Sequence, residues 1–148
     1  MNLSRQMTPE TARLVRQSWA EIVPMRKQVC VDFYQRLFER FPELRPLFKG
    51  DMERQTGLFV TMINTVVSAL ENPDPVLPLI KTVGARHAGY GVSDADYDKF
   101  ADALLDAFAE ALGDGFTPDI RDAWAEVYAN LTATMQQGAA EQRLSARH

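Results

Sequence analysis

The sequence has one cysteine, two histidines and no apolar run approaching the roughly 20 residues that a membrane span needs. A lone thiol, Cys30, can close no internal disulfide and build no cysteine-based metal cluster; a small buried hydrophobe in a reducing compartment is its ordinary role. Positive charge is thin and scattered: 16 Lys and Arg stand against 20 Asp and Glu, for a net charge of −4, and no basic run exceeds two residues. That balance argues against a nucleic-acid backbone or an anionic membrane as a main partner. A glycine-rich phosphate loop, a nucleophile elbow and a paired-histidine zinc helix are all missing. The first seven residues are polar and carry no signal-peptide core, so the expected address is the cytoplasm.

What the chain does have is apolar bulk at helical spacing. Hydrophobic residues make up 46% of its 148 positions, enough for one domain with a real core. Thr8-Pro9 supplies an N-cap and a first-turn proline, with Val15, Trp19, Ile22 and Val23 recurring behind it up to Pro24. A second helix is expected over 25–40, with Cys30, Phe33, Tyr34, Leu37 and Phe38 on its apolar face. Pro42 and Pro46 break the chain, and 50–54 reads as a loop. Helices follow over 55–70, over 76–90 and from Ser93 or Asp94 to Leu112, with Asp94 and Asp96 favouring the helix dipole at that start. Gly113 stands where a C-terminal cap belongs, and Thr117-Pro118 opens the last long helix. Residues 8–137 form the expected core, while the polar tail 138–148 is expected to fray. The fold class is all-α, with about six or seven helices broken by proline corners and no competing strand pattern.

Histidine is the informative residue because it is scarce. His148 ends the polar tail, whereas His87 shares an apolar face with Ile80 and Val83. On these residues alone a satisfied core histidine is the ordinary reading, and an iron held by one imidazole is the alternative. The Val83 carbonyl, four residues earlier, is placed to accept the other ring N–H, which would fix the ligating tautomer. Gly84, Gly89 and Gly91 remove bulk around that helix, so a large flat ligand has room to approach. Tyr34 points its hydroxyl inward and needs a partner. Gln55 falls on the stripe of Phe59, Met62 and Val66. Each of these two also reads simply as a core or rim residue.

Taken together, a longer set of residues resembles a known family. Phe33-Tyr34 with Leu37-Phe38, the run Phe41-Pro42-Glu43-Leu44-Arg45-Pro46-Leu47-Phe48, then Gln55, Arg86-His87, Tyr90-Gly91, Tyr97, Asp122-Ala123-Trp124 and Tyr128 are similar to the bacterial single-domain globins and to the globin domain of flavohaemoglobins. The resemblance runs from about Thr8 to Met135 and implies a globin fold around one haem b. It implies His87 as the proximal iron ligand, Phe48 stacked on the haem, Tyr34 and Gln55 as the distal pair and Phe59 as the distal apolar wall. Val83, Val92, Tyr97 and Phe100 would line the proximal side and haem edge, and Arg86 would meet a propionate or remain a solvated surface arginine. One departure stands out. The glutamate that flavohaemoglobins carry on the last helix would fall near Ala139, with Glu141 off that face, and no flavin- or nicotinamide-binding domain is expected.

Three functions follow as expectations. The first is reversible binding of O₂, and of CO or NO, as a monomer or weak homodimer. The second is nitric oxide dioxygenase chemistry with an external reductase. The third is a haem-free interaction or sensor module in which His87 is an ordinary core residue.

Overall fold

Thr8 starts the first helix as expected: its side-chain oxygen accepts from the Thr11 backbone N–H at 3.2 Å, and Pro9 fills the first turn. The computed structural model describes residues 8–48, 50–89 and 91–146; the polar segment 1–7, Tyr90 and His148 fall outside them. Six α-helices occupy the described residues: α1 Pro9–Ile22, α2 Arg26–Arg40, α3 Met52–Ser68, α4 Leu77–Gly89, α5 Asp94–Leu112 and α6 Pro118–Ala146. Short 3-10 turns fill Val23–Met25, Pro42–Leu47, Asp74–Val76 and Gly113–Gly115, most of them at the prolines that break the α-helical pattern. Among the described residues no helix is long and apolar enough to cross a membrane.

The central core lies where α1 meets α5 and α6. Trp19, Phe108 and Trp124 pack there with ring centroids 4.9–6.4 Å apart, each pair tilted or edge-on as aromatic quadrupoles prefer. Both indoles find polar partners. Trp124 donates to the Ser18 hydroxyl at 2.8 Å, and Trp19 donates to the Asn64 side chain at 2.6 Å, which ties α1 to α6 and to α3. Helix α2 lays Val29, Cys30, Phe33, Tyr34 and Leu37 inward, a spacing of three and four residues that makes one continuous stripe.

Two boundaries differ from the sequence pattern and a third settles an alternative it left open. Helix α3 begins at Met52, inside the expected loop, because Asp51 caps it by accepting from the Glu53 N–H at 2.9 Å. Of the two candidate caps for α5, Ser93 takes the position in a reciprocal capping box with Asp96. Helix α6 does not fray at Gly138 but continues to Ala146. Gly138 and Ala139 are buried there, and Glu141 pairs with Lys81 of α4 at 3.1 Å, so tertiary contact carries the helix past the point where its own sequence turns polar.

Candidate functional site

Helix α4 and the turn after it present the imidazole. His87 Nδ1 lies 2.8 Å from the Val83 carbonyl oxygen, one helical turn back. A ring nitrogen facing a carbonyl is the protonated one, so Nε2 is the nitrogen with a lone pair for a metal. Burial holds the His87 pKa below its ordinary value, opposed in part by the Val83 bond, so the neutral, ligating form is favoured. Gly91, at φ 94°, occupies the left-handed region that ends α4, and the Val92 N–H turns back to the His87 carbonyl at 3.1 Å. His87, Val83 and Val92 are thereby held in one short, internally bonded segment.

A chain of aromatic rings from α2, α5 and the proline turn forms the other part. Phe48 follows the Pro42–Leu47 turn and stands edge-on to Tyr34 at 5.5 Å and to Phe100 at 5.9 Å. Phe59 of α3 stacks on Phe33 at 5.4 Å with planes 10° apart, and Phe33 in turn touches Tyr34 at 4.9 Å. The geometry thus joins Tyr34, Phe48 and Phe100 directly, and Phe59 through Phe33. Phe33 was part of the sequence resemblance but had no role there; its position one residue before Tyr34 makes it the platform for Phe59. Tyr34 is buried, and burial beside Cys30 drives its phenol well above the usual range, so it stays a neutral hydroxyl. Gln55 sits half-buried in the first turn of α3, its backbone N–H bonded to the capping residue Asp51 at 3.1 Å.

Tyr97 is buried on α5 with its pKa pushed up to about 12, chiefly by burial. Its carbonyl accepts from the Tyr128 hydroxyl at 3.0 Å, a link between α5 and α6 that the separate helix patterns could not show. Arg86 is exposed, in keeping with either of its two expected roles. Gly84 corrects the reading of the glycines near His87. Its missing Cβ makes room for the Met135 backbone of α6, not for a ligand, whereas Gly89 borders open space.

These residues suit haem better than a bare metal ion. Among the described residues no three histidine, cysteine or acidic side chains gather into a metal site. One oriented imidazole needs a macrocycle to supply the other donors. Phe48, Phe59, Val83, Val92 and Phe100 pack against the core while staying only partly buried, which leaves apolar surface for a flat apolar group to cover.

The helix arrangement and the placed imidazole define a class, and comparison with known proteins agrees. The family model described as Globin matches residues 31–135, and the chain belongs to the globin family. It is 32% identical over 99 residues to a flavohemoprotein of Bacillus subtilis, covering 65% of this chain and 25% of that one. It is 29% identical over 128 residues to a flavohemoprotein of Rhizobium meliloti, covering 84% and 32%. The chain therefore spans about a quarter to a third of the length of these relatives. Among solved structures it superposes with a TM-score of 0.85 and 26% identity on an engineered carbene transferase built on a protein of Rhodothermus marinus assigned as a nitric oxide dioxygenase, covering 97% of this chain and 100% of that one.

Proposed function

We propose that this globin holds one haem b through Nε2 of His87 and binds O₂ reversibly, with CO and NO as competing ligands. The observation that carries the reading is the 2.8 Å contact between His87 Nδ1 and the Val83 carbonyl on a face whose apolar side chains remain partly uncovered. When bound, haem supplies a ferrous iron with one coordination position for a diatomic ligand. The rest of the work falls to the chain. Val83 fixes the imidazole's tautomer and ring plane and raises its basicity. Phe48, Phe59 and Phe100 exclude water from the apolar faces. Tyr34, kept protonated by its surroundings, offers an O–H donor, and the Gln55 amide offers a second. A diatomic that gains negative charge on binding is stabilised by such donors.

The test is an O₂ dissociation rate in the wild type and in Tyr34→Phe. Slow release that accelerates in the variant supports the distal assignment; equal rates remove Tyr34 from it.

A second reading is favoured by the relatives. The Rhodothermus marinus protein, assigned as a nitric oxide dioxygenase, points to that chemistry, in which NO, O₂ and one electron yield nitrate. The electron would come from a separate reductase. Stoichiometric nitrate from NO in the presence of a generic flavin reductase and O₂ supports this reading, and slow, reductase-independent NO consumption speaks for plain binding. Its single buried thiol suits a reducing cytoplasm, where either role would operate.

A further inference from the structure

Helix α4 rests on α6 backbone to backbone. A Cβ placed on Gly84 would overlap the main chain of Met135, and one placed on Gly138 would overlap the main chain of Lys81. The pairs run in opposite order, 81 with 138 and 84 with 135, so the helices cross antiparallel. On each helix the glycine lies three residues beyond the point that receives the other's. Helices that meet through ordinary side chains keep their axes about 8–10 Å apart. At this crossing no side chain intervenes, and the obstacle to an added methyl is peptide backbone, not the flexible end of a side chain. One helix must therefore move. Both glycines are buried, whereas Gly57 and Gly89 have nothing within 4 Å, so the intimate contact is confined to the crossing. The Lys81–Glu141 ion pair flanks it at 3.1 Å.

This crossing lies next to the group that orients the imidazole. The carbonyl facing His87 Nδ1 belongs to Val83, the neighbour of Gly84. The stretch of α4 that holds the ring is thus the stretch pressed onto α6. We propose that Gly84 and Gly138 are positioning residues for the proximal ligand: by letting α4 settle on the main chain of α6, they set where His87 stands relative to the haem. The proposal rests on the haem reading above and adds to it a device on a helix far along the chain. Gly138 faces the Lys81 main chain, so it acts through α4.

The experiment compares haem-loaded wild type with Gly138→Ala, Gly84→Ala and Gly57→Ala. Resonance Raman spectra of the ferrous, ligand-free form are recorded, with CO dissociation rates and thermal unfolding alongside. Gly138→Ala and Gly84→Ala are expected to shift or split the iron–imidazole stretch and to change the CO dissociation rate several-fold. Gly57→Ala, at an exposed glycine of α3 with nothing within 4 Å, is expected to match wild type in both. A wild-type stretch in folded Gly138→Ala, whatever its melting temperature, overturns the proposal and leaves the glycines as packing residues alone. A wild type without any iron–imidazole band fails the haem reading itself, and this proposal with it. Should both crossing variants fail to fold, hydrogen exchange on the wild-type protein as purified decides. Amides of residues 81–84 protected as strongly as those of 135–138 are expected, and fast exchange at 81–84 beside a protected α6 overturns the proposal.

Discussion

The ring of Phe48 stands edge-on to Tyr34, with centroids 5.5 Å apart and planes inclined by 74°. The same ring meets Phe100 at 5.9 Å and 77°, so one side chain bridges α2 and α5. Phe48→Ala removes both contacts. A fully buried Phe→Ala costs about 3–5 kcal/mol, and a half-buried ring should cost roughly half of that. Urea unfolding measures the loss. Haem should also leave the variant faster than the wild type in transfer to an apo-globin acceptor.

Tyr34 tests the distal side. A hydrogen bond to a charged group contributes about 1.5–3 kcal/mol. Its loss corresponds to roughly a 10- to 150-fold change in affinity. Tyr34→Phe keeps the ring packing against Phe33, Phe38 and Phe48 and deletes only the hydroxyl. Stopped-flow O₂ dissociation should therefore accelerate by a factor in that range while the melting temperature barely moves.

Much of this architecture was legible locally. Thr8-Pro9, Ser93, Gly113 and Thr117-Pro118 mark their helix ends because each end is decided by one or two side chains beside it. The Val83–His87 bond was legible for the same reason, since a spacing of four residues is set by helix geometry alone. Contacts between distant segments were not. Nothing in a polar tail announces that Gly138 will lie on the Lys81 backbone, and nothing beside Gly84 announces Met135. Likewise the edge contact of Phe48 with Phe100 depends on how the proline turn lies over α5, which no periodicity encodes. Asp51 is the exception: its capping bond to Glu53 is local, but the glycine before it made the segment read as loop.

Cys30 supplies a chemical check on the packing of α2. The thiol is buried, and burial pushes its pKa up to about 11. The thiolate is the reactive form, so native protein at mildly alkaline pH should resist iodoacetamide. Mass spectrometry should find alkylation only after denaturant is added. Rapid labelling of the native state would place Cys30 nearer to solvent than the fold allows.

Acid should weaken the haem-free protein through His87. Burial lowers the ring's pKa in the folded state from the ordinary 6.5. Just below that pH the unfolded chain binds more protons than the native one, so stability falls as pH falls through this window. His87→Leu removes this ring, and urea titrations of the two proteins should diverge in slope only there. Parallel curves would mean that the imidazole is as hydrated in the fold as in the unfolded chain.

One haem held by one histidine has a direct spectroscopic signature. Ultraviolet–visible spectra of the purified protein should be taken oxidised, reduced, and reduced under carbon monoxide, beside a His87→Ala variant. The wild type should show a strong Soret band that moves with carbon monoxide and is lost or altered in the variant. A protein that stays colourless after haem is added, or a wild-type spectrum that persists unchanged in His87→Ala, would contradict it.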